Sequence, residues 1–311
     1  MNEEKIRKIA ENQGIDLIGF FSVAPLSECL SHLEKRVEQG FSTGFEGGTP
    51  QERIDYLKHF SKAKSGIVIG VNYYQSIHRP DDETSRGAVA AVVWGRDYHE
   101  VLREKMRALM DTLNQDQIVA GKPKIGYEAY VDNSPLVDRG SAYRAGLGFF
   151  GKNNCLINKT LGSYFFIGQI LVDTDIEFSS TAAIENGCGD CRRCLDACPH
   201  NALGDGFSLD PSKCVAFLTQ KKELTPDEEK RISTYLYGCD LCQQACPYNQ
   251  ELEKTKEERF WTDDETAYPK IEALLKLSNK EFKNQFGKTA AGWRGKKIMV
   301  RNAKLFEKNK K

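Results

Sequence analysis

Eight of the ten cysteines fall in one window of the 311-residue chain. They read Cys188-x-x-Cys191-x-x-Cys194-x-x-x-Cys198-Pro199, then a lone Cys214, then Cys239-x-x-Cys242-x-x-x-Cys246-Pro247. This is the ligand spacing of a module that holds two 4Fe–4S cubanes, in which the fourth cysteine of each run crosses to the other cluster. A Cys-x-x-Cys-x-x-Cys loop wraps one cubane with three thiolates, and the Cys-Pro turn points the last sulfur away. The spacing therefore assigns Cys188, Cys191, Cys194 and Cys246 to one cluster. Cys198, Cys214, Cys239 and Cys242 form the other, with Cys214 supplying the ligand that the second run lacks. Zinc favours two Cys-x-x-Cys pairs per tetrahedral site and leaves both Cys-Pro ends unexplained. Two cubanes in one small module imply electron transfer. Cys29 and Cys155 stand outside the pattern and read as small buried hydrophobes.

Lys and Arg balance Asp and Glu at 44 each, so overall charge says nothing about partners. Its distribution says more: from Lys288 to Lys311 there are nine Lys or Arg and one acid, Glu307. No apolar run approaches the roughly 18 residues of a membrane span. Many thiols and no targeting segment point to the cytoplasm.

The first two-thirds alternate between helical and strand patterns. Asn2 caps a helix running through Gln13, closed by Gly14. A strand is expected over 15–21, then a helix opened by Pro25 with Leu26, Leu30, Leu33 and Val37 on one face. Residues 40–50 are a glycine-rich loop. Apolar, β-branched runs at 66–73, 88–94, 125–131 and 164–172 read as strands. Helices are expected over 98–113, with Val101, Leu102, Met106, Leu109 and Leu113 inward, and over 136–145. The fold class is α+β. Three domains are expected: an α/β domain over 1–180, the cluster module over 181–250, and a basic helical segment over 251–311.

Three segments of the first domain are dense in functional groups. Gly146-Leu-Gly148-Phe-Phe-Gly151, with Asp173 beyond it, matches the dinucleotide glycine pattern. It follows a helix rather than a strand, and no helix comes next to face a pyrophosphate. Asp132 sits at a strand end before Asn133-Ser134-Pro135, as either an active-site acid or a helix cap, with Asp138 and Arg139 as a surface pair on the second view. Trp94-Gly95-Arg96-Asp97-Tyr98-His99 is another strand-to-helix junction. Asp97-x-His99 starts like the motif that gives cobalamin a lower axial ligand but breaks at Leu102, where that motif has Gly.

Asp132-Asn-Ser-Pro-x-x-Asp-Arg139, Gly-Leu-Gly-Phe-Phe-Gly-Lys-Asn153, the cysteine runs and Gly292-Trp-Arg-Gly-Lys-x-x-x-x-Arg301-Asn302 together resemble the epoxyqueuosine reductases. The segments Trp94–His99 and Arg53-Ile-Asp55 fit that family too, so the resemblance spans essentially the whole chain. It implies an N-terminal cobalamin-binding domain of reductive-dehalogenase or nitroreductase type. A ferredoxin-like module and a short helical segment come after it, without the helical-repeat extension of many members. It implies reduction of the epoxide of epoxyqueuosine, at the wobble position of tRNA, to queuosine. Asp132 matches the proton donor, which near neutral pH calls for an upward-shifted pKa through burial beside the corrin. Arg53, Gly95, Arg96, Asp132, Arg139, Asn153 and Asn154 are the expected cobalamin contacts.

For the tRNA, the expected contacts are Lys221, Lys222, Trp293, Arg294, Lys296, Lys297 and Arg301. The same residues also read as a solvated basic surface. A separate reductase, ferredoxin or flavodoxin is expected to supply electrons. Two other readings compete: a corrinoid dehalogenase acting on a small molecule, and an electron carrier with no cofactor beyond the clusters.

Overall fold

The computed structural model describes residues 1–179 and 184–310. Eight strands lie among them: β1 (Leu17–Ser22), β2 (Ser65–Asn72), β3 (Ala88–Val89), β4 (Tyr127–Tyr130), β5 (Phe149–Phe150), β6 (Leu156–Ile157), β7 (Phe165–Val172) and β8 (Tyr235–Tyr237). The chain forms two compact units. The first contains residues 1–72, 99–151 and 155–189; the second contains 73–98, 152–154 and 190–311. The expected boundary at 180/181 lies outside the described residues. The segment 251–311 shares its compact unit with the cysteine runs from Asp190 onward.

The first unit is built on an antiparallel sheet of order β1-β2-β7-β4. All eight residues of β2 are buried, and seven of the eight in β7, so neither strand shows the polar–apolar alternation of a one-faced sheet. The helix Tyr98–Val119 covers one face and outlasts its expected end, with all five expected inward residues buried. Tyr56, Leu136 and Ala142 join Phe21, Val68 and Leu171 in the core on the other face. Gly19 lets a helix end approach the sheet there: a Cβ at this position would lie 2.7 Å from the Ala145 carbonyl oxygen. The helix Glu3–Asn12 is capped as expected, Asn2 accepting from the Glu4 amide at 2.7 Å. The buried Lys105 finishes its other end, donating to the carbonyls of Gln13 and Gly14. One expected inward residue points outward: Val37 is 54% exposed in the helix Leu30–Glu38.

In the second unit, β3 pairs in parallel with β8. The strand expected over 88–94 stops at Val89 and turns into a single 3₁₀ turn at Ala91–Val93. Two hydrogen bonds divert it. The Ala91 amide donates to Asp240 Oδ2 at 2.7 Å, and the Trp94 indole donates back to the Val89 carbonyl at 2.9 Å. The helix Gly295–Asn309 packs against β8 and the helix Ile271–Lys276. Among the described residues, no helix is long and apolar enough to cross a membrane.

Gly19→Ala forces its methyl into the Ala145 carbonyl. Overpacking of this kind costs about 1–3 kcal/mol, and thermal denaturation should show the loss without a change in iron content.

Candidate redox and catalytic site

All ten cysteines are thiols rather than disulfides, including all eight in the two runs. Each run folds the same way: a short helix, Arg193–Asp196 or Leu241–Gln244, precedes its Cys-Pro turn. Cys194 and Leu195 pack with Leu203, and Cys198 and Cys242 lie against that group. Among the described residues, no three His, Cys, Asp or Glu side chains converge on a single-ion site. A cubane places each thiolate on its own iron, so its ligands stand apart. Burial pushes the Cys239 thiol up to about 12, and the neighbouring charges of Asp240, Cys214 and Cys198 add to this. Burial also raises Cys214, with Cys198 again a neighbour. Cys198, Cys214 and Cys239 are thus close enough to feel one another, and iron binding would displace their protons. Lys152, which follows the glycine pattern, donates to the Cys191 carbonyl at 3.0 Å. Cys29 and Cys155 are half-buried rather than buried.

The lone ligand Cys214 begins the helix Val215–Leu218, and the C-terminal helix fastens the chain just beyond it. Asn302, fully buried, donates to the carbonyls of Thr219 and Leu236, both at 2.8 Å. Thr219 Oγ1 in turn accepts from the Gly238 amide at 2.9 Å. Arg301 donates to the carbonyls of Lys221 at 2.6 Å, Lys222 at 2.9 Å and Leu218 at 3.3 Å, and also to Asn302 Oδ1. These bonds join the segment after Cys214 to the strand before Cys239. Expected as a tRNA contact, Arg301 spends its donors on this clamp, because its forked guanidinium reaches three carbonyls at once.

In the first unit, Asp132 and Asn133 lie beyond β4 with φ of 38° and 34°. Two successive non-glycine residues in this region cost of order 1–3 kcal/mol each, the kind of strain that gathers at functional sites. The Asp132 side chain is 57% exposed. His99 Nε2 lies 3.7 Å from Asp132 Oδ2, and Asn133 Nδ2 lies 3.2 Å from the same nitrogen. Arg53 Nε donates to the Pro135 carbonyl at 3.3 Å, which ties it to the same turn.

Beside this turn a second acid, Asp138, has a strongly perturbed environment and opens the helix Asp138–Arg144. Although part of the residue reaches solvent, its carboxyl end is densely enclosed. Burial pushes it up to about 7 and the charge of Asp132 adds to this, while the Gln169 hydrogen bond and the charges of Arg139 and Arg53 oppose it. The reading of Asp138–Arg139 as a surface pair therefore fails for Asp138. Gln169 Nε2 donates to Asp138 Oδ1, Ser141 Oγ donates to Gln169 Oε1 at 2.7 Å, and Tyr56 Oη lies 2.8 Å from Ser141 Oγ. Gln169, Ser141 and Tyr56 are fully buried. The signal that could have found them is a glutamine inside the apolar run 164–172.

Four of the expected cobalamin contacts, Gly95, Arg96, Asn153 and Asn154, belong to the second unit. Gly95 has φ +67°, and a Cβ there would lie 2.4 Å from the Phe260 carbonyl carbon. The Arg96 amide donates to the Arg259 carbonyl at 2.7 Å. Asn153 is buried, and Asn154 adopts φ 62°. The glycine pattern at 146–151 leads into the hairpin of β5 and β6 rather than a helix, as its context suggested.

A groove of about 580 Å³ in the second unit is lined by Asn279, Lys296, Lys297, Val300, Arg301, Lys304 and Leu305. Lys221 is ion-paired to Glu228 at 2.8 Å, and Lys222 is exposed. Trp293 is 54% exposed, its indole donating to Tyr237 Oη, with the Arg294 guanidinium 3.6 Å from its ring centroid.

The family model for the 4Fe-4S double cluster binding domain matches residues 187–249, which include all eight cysteines, and the model "Epoxyqueuosine reductase QueG, DUF1730" matches 53–133. An epoxyqueuosine reductase from Lactococcus garvieae is 38% identical over 96% of this chain and 84% of its own. The chain belongs to the epoxyqueuosine reductase family. A crystal structure of an epoxyqueuosine reductase with an epoxyqueuosine-modified tRNA-Tyr stem loop matches with a TM-score of 0.91 at 35% identity, covering 99% of this chain and 81% of that one. A Bacillus subtilis epoxyqueuosine reductase with its catalytic aspartate loop swung out of the active site matches with a TM-score of 0.90 at 34% identity, with the same coverage. Membership makes the protein an oxidoreductase, and its double-cluster domain carries two 4Fe–4S clusters.

Cys214→Ala should lower the iron content from about eight to about four per chain, measured after anaerobic reconstitution. Asn302→Ala leaves every ligand in place but removes the tie between two ligand-bearing segments. Loss of a buried hydrogen-bonded amide costs about 1–3 kcal/mol, and iron should be lost on dilution faster than from the parent.

Proposed function

We propose that the protein reduces the epoxide of epoxyqueuosine in the anticodon loop of tRNA to the alkene of queuosine, with bound cobalamin supplied with electrons by the two clusters. The observation that carries this reading is the left-handed turn that presents an exposed Asp132 carboxyl beside His99, in a chain of this family. Relatives solved with an epoxyqueuosine-modified stem loop and with a catalytic aspartate loop swung out of the active site support it.

The residues of the first unit fit a cobalamin. Burial lowers the basicity of Arg36 and Arg53, the charge of Arg139 adds to this at both, and Glu46, paired to Arg36 at 2.8 Å, opposes it; arginines gathered in this way suit an anionic group such as the cobalamin phosphate. The glycine-rich loop leaves open space near the Asp132 turn: a Cβ at Gly47 would meet only the Pro135 Cα, at 4.0 Å. Arg53 and Arg139 would hold the phosphate side. When bound, the cobalamin supplies an electron pair at one centre, which single-electron clusters do not.

Net removal of an epoxide oxygen as water takes two electrons and two protons. Asp132 delivers a proton to the departing oxygen. Its exposure lets it reach a bulky substrate, and His99 and Asn133 orient the turn that carries it. The modified base must leave its stack to reach such a site. Lys296, Lys297 and Lys304, lining the basic groove, would neutralise tRNA phosphates. An external reductase, ferredoxin or flavodoxin supplies the electrons.

The test is anaerobic reconstitution with iron, sulfide and cobalamin, then assay on tRNA containing epoxyqueuosine. Queuosine should form, and Asp132→Asn should slow it by about 100-fold or more with clusters and corrinoid retained. Undiminished turnover in that variant would remove Asp132 from the reaction. Lys296→Glu combined with Lys297→Glu should raise KM for tRNA, flatten its salt dependence and leave kcat nearly unchanged.

A further inference from the structure

The proposed conversion consumes two protons per oxygen removed, and a single carboxyl at Asp132 carries one. The structure places a second acid close by. Tyr130 ends β4 directly opposite Gln169 of β7. Asp132 stands two residues beyond Tyr130, and Asp138 receives the Gln169 amide at the start of the next helix. Both acids thus sit at one end of one strand pair, and the charge of Asp132 acts on Asp138.

The direction of the hydrogen bonds fixes where a proton can sit. Ser141 Oγ gives its hydrogen to Gln169 Oε1, so Tyr56 donates to Ser141, and the Gln169 amide donates to Asp138 Oδ1. Every donor in this buried row points towards Asp138. Oδ1 is occupied as an acceptor, so a proton on Asp138 resides on Oδ2. Around this carboxyl the charged neighbours are Asp132, Arg139 and Arg53: the first favours the neutral acid and the two arginines favour the anion.

Resting on the reading that Asp132 protonates the departing oxygen, we propose that Asp138 is its positioning partner and supplies the second proton, re-protonating Asp132 within a turnover. The O–H bond at Asp138 Oδ2 breaks as one forms on the Asp132 carboxylate, across the short turn between them. Asp138 is left anionic and regains its proton from solvent, to which part of the residue remains open. No oxidant or reductant enters the step. Ionised Asp132 raises the proton affinity of Asp138.

The experiment compares single-turnover rates of the reconstituted holoenzyme on epoxyqueuosine tRNA between about pH 5 and about pH 9. The parent should lose rate as pH rises through about 7, where Asp138 gives up its proton. In Asp138→Asn that limb should vanish, and the rate at neutral pH should fall about tenfold or more with iron and corrinoid content unchanged. Gln169→Met removes a hydrogen bond that favours the ionised form, so the limb should move to higher pH. A structural role alone would lower the rate without moving it. Infrared difference spectra of the resting protein give a readout without turnover: a protonated-carboxyl band that titrates near neutrality and is missing in Asp138→Asn. An unaltered limb in Asp138→Asn, or a band that persists there, would overturn the proposal. Normal turnover in Asp132→Asn would instead overturn the reading beneath it.

Discussion

One buried amide organises the catalytic end of the first unit. Gln169 lies with no exposure in the centre of an apolar strand, where an unpartnered amide costs several kcal/mol. Ser141 and Asp138 supply its partners, and both belong to the helix Asp138–Arg144. Satisfying the amide therefore fixes that helix to β7, on which it packs. The chain between the end of β4 and the start of this helix has to fit the gap that remains. It does so with two residues in the left-handed region, Asp132 and Asn133. A strained turn persists only when its surroundings over-determine it, and here both of its ends are held.

The second unit meets a different constraint. The ligands inside each cysteine run are near neighbours in sequence, so a short loop and a short helix suffice to arrange them. Cys214 has no such local partner. Bringing it to Cys239 closes a long loop, whose entropy must be offset by contacts elsewhere. Asn302 offers those contacts from the far end of the chain by spanning the Thr219 and Leu236 carbonyls. The role is structural and lies well outside the cysteine pattern. A truncated chain ending before the helix Gly295–Asn309 would keep every ligand and lose the tie between two of the segments that bear them.

How far each feature was legible in the sequence depends on how local its signal is. Cysteine spacing is local and carries the cluster chemistry without any fold. The strands β2 and β7 and the covering helix were legible because they carry long apolar patterns; the antiparallel pairing of the strands was not. The 88–94 strand misled because its end is decided by Asp240, distant in sequence, which draws the Ala91 amide away. Asp132 was legible as a strand-end acid, but its left-handed backbone was not, because that depends on how the two ends of the turn are held. The enclosure of Asp138 was not legible either, and one of the two readings of the turn made it half of a surface pair. Its enclosure comes from Gln169, on a strand some thirty positions further along the chain. Val37 shows the limit of periodicity: it keeps the helical spacing of Leu33 yet faces solvent.

The basic C-terminal stretch illustrates how one composition serves two ends. Counted as charge, residues 288–311 form a single cationic tail. In space the two basic residue types separate. Arg301 and Arg294 turn inward, one onto backbone carbonyls and one onto the Trp293 ring, and both tasks use a planar group with several directed donors. Lys297 and Lys304 stay exposed along the groove, with Lys296 half-buried beside them. An ammonium is a compact charge on a flexible stem, suited to a phosphate backbone that slides and varies from one substrate to the next. Exchanging the types would harm both roles: a lysine cannot span three carbonyls, and an arginine in the groove would order itself around fixed acceptors. The division between arginine and lysine thus separates residues that hold the cluster unit together from those left available to an anionic partner.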